Sequence, residues 1–394
     1  MKTFDYIISP LTGGEFFQQY FEKKHLHISA TDSNKFKRYL KEGDIDRILT
    51  SQQLSIPNTR MAQKDGDIDI KKLTLEGTNI IDVSKVVEYF SEGATLIMSM
   101  LHNKLTSLKG LCDDLSHTFG QQFQTNVYCT PGNKSQGFIV HHDTHDVFIL
   151  QIEGTKDWKI YKSPISLAIK DLAFEKDVHK HGSVIDEFTM FPGDILYIPR
   201  GLMHAAQTTS KKSIHITTGF MGITWQDVMI DKINLLAQKN EALRRGFKPN
   251  YWKDTQDPYY KDSYNEILNL LNNPNSIDEA LKTSYKKNIN RYRPAFTNPI
   301  QTAESILGIN LDSKLRVIPY ISHSIDIEND TLKITLFNKE IELSLGFKPV
   351  LDFIISEKTF VVRQLPLLDD ESAVKFAQTL IKSGLIEPNT SKAK

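Results

Sequence analysis

The sequence predicts an α+β protein whose centre is a barrel or sandwich of short strands, set between helical segments. Three observations predict it. Short strand-like runs bunch between residues 124 and 219, punctuated by Gly, Pro, Asn and Asp. Helix-like stretches occupy much of the chain before residue 120 and return from Trp225 to Leu271. The last hundred residues alternate strand signals with one terminal helix signal.

The elements follow in order. Glu15 to Phe21 is amphipathic, and Gly43 to Leu49 reads as a short helix with acidic residues in its early turn. Val83–Phe90 and Leu105–Phe119 read as helices, with Gly93–Met98 between them as a strand. The strand-like runs are Gln124–Cys129, Val147–Ile152, Trp158–Tyr161, Ile195–Ile198 and Ser213–Gly219. Pro131-Gly132-Asn133 and Pro192-Gly193-Asp194 are turns. Trp225, Val228, Met229 and Ile233 fall on one helical face, which Leu235, Leu236 and Leu243 continue. Residues 272–298 are polar and basic and read as loop with short helices. Leu332–Leu336 and Phe360–Arg363 read as strands, and Glu371–Ser383 as a helix. Asp369-Asp370-Glu371 starts that helix, where negative charge favours the positive helix end. The tail from Pro388 is expected to fray.

Composition bounds the function. The 394 residues suit two or three domains, and 40% hydrophobic with 24% charged residues is ordinary globular usage. Lys plus Arg and Asp plus Glu both number 48, so a surface built wholly for nucleic acid or anionic lipid is excluded. Local balances differ, at +4 over residues 231–300 and −2 over 301–394. Two cysteines, Cys112 and Cys129, exclude a disulfide scaffold and a Cys-rich zinc site. The N-terminus has no apolar leader core and no window reaches the roughly 18 apolar residues of a membrane span. A soluble, cytoplasmic protein of a reducing compartment is expected.

The densest polar cluster is His141-His142-Asp143-Thr144-His145-Asp146, just before the apolar run Val147–Leu150. In an extended strand, residues two apart face the same way, so His141 and Asp143 can point together into a cavity. One imidazole plus one carboxylate is two-thirds of the facial triad of non-haem iron(II) oxygenases. His204 closes the stretch Pro192–His204, a turn, an apolar strand and a Pro/Gly loop, and suits the third position. A buried 2-oxoglutarate carboxylate would need a cation, and Lys156, soon after the cluster in sequence, is the best placed. His145 shares the expected strand face, as a substrate-facing or a structural group. His179 and His181 read as solvated, Trp158 and Cys129 as core, His215 as a barrel residue that is not a ligand. Arg291-Tyr292-Arg293-Pro294 reads as a basic loop.

The sequence resembles the JmjC-type iron(II)/2-oxoglutarate-dependent oxygenases with a cupin core, in their ribosomal-oxygenase-like branch. The matching stretches are Asn126–Pro131, Ser135–Phe138, His141–Gln151, Glu153–Trp158, Pro192–His204 and Ser213–Thr217, with a looser match over Phe16–Ile28. The resemblance implies a double-stranded β-helix with a helical surround. It implies iron(II) at His141, Asp143 and His204, and 2-oxoglutarate and molecular oxygen as co-substrates. Lys156 would anchor 2-oxoglutarate, with Asn126, Tyr128 and Ser213 lining its pocket. His142 stands where the family usually has tyrosine, and the Pro131–Ser135 turn is one residue longer than usual.

The expected organisation is a catalytic domain over 1–225, a helical and dimerising region over 226–300, and a small winged-helix-like module over 301–394. The expected activity is hydroxylation of a protein or peptide side chain, first of all on a ribosomal protein. The partners are then that substrate and a second copy of the chain, with neither membrane nor DNA. The rivals are a hydroxylase maturing a dedicated peptide precursor, a non-catalytic cupin scaffold, and a histone-type demethylase, which the zero net charge and the lack of accessory zinc-binding cysteines disfavour.

Overall fold

The structure, a computed structural model, describes residues 3–41, 43–63, 66–132, 135–253, 257–289, 296, 298–337 and 339–389. It divides into two compact units, Met1–Gly222 and Ile223–Lys394.

The first unit is built on an eight-stranded antiparallel sheet. Its spatial order is Leu26–Ile28, Ile195–Ile198, Asp146–Glu153, Lys212–Phe220, Phe123–Pro131, Thr95–Met98, Thr59–Gln63 and Gly66–Asp67. A three-stranded sheet, His204–Thr208, Lys156–Tyr161 and Val184–Met190, faces it. Strand alternation explains why both faces of the large sheet are apolar. Val147 and Ile149 point toward the small sheet, where they pack with Trp158, Ile160 and Met190. Phe148, Leu150 and Ile152 point the other way, into a layer that includes Phe4, Phe16, Leu108 and Leu115. A strand covered on both sides reads as the continuous apolar run seen in the sequence. The helices Gly13–Gln19, Asp44–Ser51, Val83–Ser91 and Thr106–Phe119 fall where the sequence places helical signals.

Tyr197 links the two layers' chemistry. Its hydroxyl donates to Asp146 Oδ1 at 2.6 Å, both groups being buried. Arg200 stands 3.5 Å from the other Asp146 oxygen and 2.5 Å from Glu22. Tyr197→Phe leaves a buried carboxylate oxygen without its donor, an expected loss of about 1–3 kcal/mol. Urea unfolding of the variant against the native chain measures it.

The second unit opens with helices Trp225–Lys239, Pro258–Leu271 and Asn275–Ile289. The third corrects the expectation of loop with short helices over 272–298: Asn275–Ile289 is one 15-residue helix. It buries Ala280 and Ile289 with Ser284 and Asn288, and polar cross-links join it to the first helix. Ser284 and Lys287 both bond Asp231 on the first helix, and Lys239 bonds Glu279 at 2.8 Å. The buried Lys232 ammonium donates to Leu271 O at 2.6 Å, tying down the end of the second helix. The expected apolar face is split: Val228 is buried, but Trp225 is 71% exposed.

Beyond these helices lie a meander, His323–Glu328, Thr331–Leu336 and Lys339–Ser344, and a second sheet of Lys314–Val317, Thr359–Val361 and Ile386–Pro388. Helices Lys348–Glu357 and Asp370–Ser383 close a separate core around Leu315, Ile334, Ile354 and Leu380. Pro388 does not fray: Ile386–Pro388 is a strand, and Pro388 stands opposite Leu315. Asn133 of the expected turn, the Arg291–Pro294 loop and the tail from Thr390 lie outside the described residues. No helix among the described residues is long and apolar enough to cross a membrane.

Candidate active site

His141, Asp143 and His204 converge at one end of the space between the two sheets of the first unit. Their ligand atoms lie within 4.8 Å of one another. His204 opens the strand His204–Thr208, and His141 pairs with it as an isolated bridge. Both backbone bonds of that bridge form, at 3.1 and 2.8 Å, so the two histidines are held opposite each other. Asp143 is fixed by its carbonyl, which accepts from Gly201 N at 2.8 Å. Gly201 has φ +85° and a Cβ there would sit 2.9 Å from Leu167 N, so the loop closes this tightly only with glycine.

The strand argument for His141 and Asp143 holds only in outcome. The regular strand starts at Asp146; residues 142–145 are irregular, and the backbone bonds to His204 and Gly201 set the geometry instead. His145 sits on the bend and packs over Gly219, off the cavity wall.

The protonation pattern suits a metal. His141 Nδ1 lies 2.8 Å from Ile139 O, and His204 Nδ1 lies 2.9 Å from Leu202 O. A carbonyl only accepts, so each Nδ1 carries the proton and each Nε2 offers a lone pair. Burial and the neighbouring His141 push the His204 imidazole down to about 4. Burial favours the neutral form of Asp143, but His145, His141 and His204 outweigh it and hold the carboxyl below its ordinary range. Two neutral imidazoles and one carboxylate are the ligand states a divalent ion requires.

The three groups open onto a cavity of about 250 Å³. Strand alternation selects its wall: Thr95, Tyr128, His215 and Thr217 come from the large sheet, Lys156 and Trp158 from the small one. Lys156 is 4% exposed. Burial pushes its ammonium down to about 7, and no described carboxylate stands against it. The turn before it needs Gly154, whose φ is +66° and whose missing Cβ would overlap Lys212 O. Beside Lys156, burial and its charge drive His215 well below the ordinary imidazole range. His215 Nδ1 and Trp158 Nε1 are buried without hydrogen-bond partners. Tyr128 stacks on His215 at 4.8 Å, and burial holds its hydroxyl protonated, up to about 12.

The family model described as "JmjC domain" matches residues 100–228, which include the three converging groups and Lys156. Over these residues the chain is similar to JmjC domains. In sequence the chain is 29% identical over 232 residues to the bifunctional lysine-specific demethylase and histidyl-hydroxylase NO66 of Dictyostelium discoideum, covering 58% of this chain and 45% of that protein. It is 28% identical over 300 residues to ribosomal oxygenase 2 of Mus musculus, covering 74% of this chain and 64% of that one. The chain thus spans about half the length of the curated relatives it matches. In fold it resembles YcfD, a ribosomal oxygenase from Escherichia coli solved with cobalt and 2-oxoglutarate, with TM-score 0.54 and 16% identity, covering 96% of this chain and 98% of that one. This likeness is one of fold.

The cavity sorts the other expected residues. Tyr128 and Lys156 are on the cavity wall. Asn126 and Ser213 lie behind the wall: the Asn126 side chain bonds the Tyr128 hydroxyl and its Oδ1 accepts from Met100 N at 3.2 Å, and the Ser213 hydroxyl accepts from the Gln151 amide at 2.8 Å. Trp158, expected as core, is also wall. His179 is not simply solvated; its ring lies 5.1 Å from that of the buried His142, with Phe174 beside both. Arg60, Phe138, His215 and Trp158 are wall residues that sequence reasoning did not assign to the site. Only the alternation of Thr95, Tyr128 and His215 with buried apolar neighbours hinted at a shared face.

Proposed function

We propose that this chain is an iron(II)- and 2-oxoglutarate-dependent hydroxylase acting on a protein side chain, with a ribosomal protein as the first substrate to test. The observation that carries it is the juxtaposition of a two-histidine, one-carboxylate cluster with a buried, unpaired lysine in one cavity. The names of the relatives, ribosomal oxygenase and histidyl-hydroxylase, support the same reading.

The residues present fit the groups. His141 Nε2, Asp143 and His204 Nε2 would hold the iron, leaving open positions on one side. His215 Nδ1 and Trp158 Nε1, buried without partners, and the buried Lys156 ammonium beside them suit a dicarboxylate that would satisfy them. With iron(II) bound, the centre supplies oxygen chemistry in which 2-oxoglutarate and O₂ become succinate and carbon dioxide as a substrate C–H becomes C–OH. The chain's own residues do the rest. Lys156 neutralises and orients the distal carboxylate, the Tyr128 hydroxyl stays a donor, and Val147, Ile149 and Trp158 keep water from the inner wall. The test is incubation with ribosomal extract and a peptide panel, read by mass spectrometry for the gain of one oxygen atom. A precursor peptide as the substrate, or a scaffold without turnover, are the outcomes that would displace the ribosomal reading.

The chain acts as a homodimer in this proposal, through the helices that begin the second unit. Trp225, Ile230 and Ile233 are exposed on one helix and Tyr264 on the next, and such a face gains by burial against a second copy. Light scattering at micromolar concentration is expected to give about twice the 45.0 kDa chain mass, from an interface above about 2,000 Å². A monomer unchanged at tenfold higher concentration refutes it. The module after residue 300 serves as a winged-helix-like element that does not read DNA, in keeping with its net charge of −2. Two free buried cysteines accord with a cytoplasmic, reducing setting.

A further inference from the structure

We propose that the Lys156 amine takes up carbon dioxide as a carbamate when no dicarboxylate fills the cavity, so that carbon dioxide and 2-oxoglutarate compete for one site. The inference rests on the co-substrate reading of this cavity and adds a covalent regulator to it.

Lys156 begins the central strand of the three-stranded sheet, between Thr208 on one neighbour and Met190 on the other. Pairing on both sides fixes its backbone, and its buried side chain lines the cavity. Residues directly opposite in an antiparallel pair share a face, as do residues two apart on one strand. Thr208 and Trp158 therefore stand on the Lys156 side. Thr208 is fully buried, and neither its hydroxyl nor Trp158 Nε1 has a hydrogen-bond partner. His215 Nδ1 is a third such atom. The amine thus sits among neutral polar groups that lack partners, with no described carboxylate to hold it as ammonium.

The free amine is the nucleophile. Burial lowers the Lys156 pKa to about 7, and the titratable groups around it add no negative charge. Burial keeps the Cys129 thiol and the Tyr128 hydroxyl protonated, each up to about 12, and drives His215 well below the ordinary imidazole range, so all three stay neutral. The amine nitrogen attacks the carbon of carbon dioxide. An N–C bond forms, the π pair of one C=O bond moves onto its oxygen, and a proton leaves the nitrogen for water. The product is a carbamate with one negative charge, and nothing is oxidised or reduced. A carbamate is a carboxylate carried on the lysine itself, so it offers acceptors to the Trp158 and Thr208 donors that lack partners. A divalent ion against Asp143, the sole carboxylate among the described wall residues, leaves one positive charge, which the carbamate offsets. The cavity of about 250 Å³ has room for the added group. The proposed reaction releases carbon dioxide in this cavity, so the reagent arises beside the amine.

The test uses the full chain loaded with zinc(II), with and without carbon-13-labelled bicarbonate, at about pH 8, where the free amine predominates. A carbamate signal in the carbon-13 spectrum is expected from the native chain. It should vanish on adding 2-oxoglutarate, a comparison that needs no variant. It should also be absent from Lys156→Arg, which keeps the cation but has no free amine. Calorimetry gives the second reading. At the carbon dioxide level that half-saturates the signal, the apparent dissociation constant of 2-oxoglutarate is expected to be about doubled in the native chain and unchanged in Lys156→Arg. Sensitivity that persists in Lys156→Arg marks bicarbonate bound as a simple anion and overturns the proposal. So does a signal that Lys156→Arg retains in full, as the N-terminal amine would give, or a Lys156 signal that bound 2-oxoglutarate leaves in place. A chain that binds no 2-oxoglutarate even without carbon dioxide counts against the co-substrate reading. One that binds it but forms no Lys156 carbamate counts against this inference alone.

Discussion

Replacing Asp143 by Ala is expected to abolish turnover and metal retention together, while circular dichroism and melting stay close to native. Asp143 supplies the only negative charge among the three converging groups. Without it, two neutral imidazoles face a divalent cation, and affinity is expected to fall by more than about 100-fold, beyond what loss of an outer-shell partner causes. The fold should survive because the structural bond at this position is made by the backbone carbonyl to Gly201, which Ala retains. His204→Ala is the sharper discriminator. Its backbone bridge to His141 also persists, so only the ligand is lost. Metal content by mass spectrometry and turnover together check both variants, and a His204→Ala protein that holds iron and turns over normally would show that the three groups are not the metal site.

Lys156→Ala is expected to leave metal binding nearly intact and to raise the 2-oxoglutarate requirement by about 30-fold or more, the effect of losing a buried charge-assisted pair. Arg200, four residues before His204, would be the next cation to test if the anchor were elsewhere. The structure redirects that choice: Arg200 is engaged with Glu22, Asp146 and Leu167 O, whereas the other cation on the cavity wall is Arg60. Lys156 also predicts a pH dependence. In the free protein burial lowers its pKa to about 7 from 10.5. A bound dicarboxylate favours the charged form and raises that pKa, so affinity is flat below pH 7 and falls above it, by up to about tenfold per unit. The free fold behaves oppositely: between pH 7 and 10.5 the unfolded chain binds more protons at this lysine, so stability from this group rises with pH. Titration calorimetry across pH 6–9 with native and Lys156→Met proteins checks the sign; a slope that persists in the variant assigns it to another group.

Much of the first unit was legible because its signals are local. His141, Asp143 and His204 stand in short segments whose turns and apolar runs announce a strand and a loop, and Lys156 follows a glycine turn two residues before Trp158. The helices before residue 120 carry their own amphipathic periods. The detail of geometry was not legible. Asp143 reaches the site from irregular backbone; Asn126, carried by resemblance, bonds Met100 N and the wall residue Tyr128, and Ser213 bonds Gln151.

The sequence alone therefore determined four of the first unit's helices, its strands at Thr95–Met98, Phe123–Pro131, Asp146–Glu153, Lys156–Tyr161, Ile195–Ile198 and Lys212–Phe220, and the residue types that could hold a metal and an anion. It did not determine the strands Leu26–Ile28, Thr59–Gln63, Gly66–Asp67, Val184–Met190 and His204–Thr208. What it determined follows from short-range spacing and from the chemistry of imidazole, carboxylate and ammonium. Tertiary structure alone decided the rest. The polar stretch after residue 272 becomes a helix because packing buries Ala280, Ser284, Asn288 and Ile289 and Asp231 bonds Ser284 and Lys287. Pro388 is ordered because Leu315 stands opposite it. Arg60, Trp158 and His215 line one cavity because sheet pairing over long sequence distances turns alternate side chains inward, and Phe138 joins them from a bend. Each of them in isolation reads as an ordinary strand or loop residue, and pairing partners far along the chain carry no local signal.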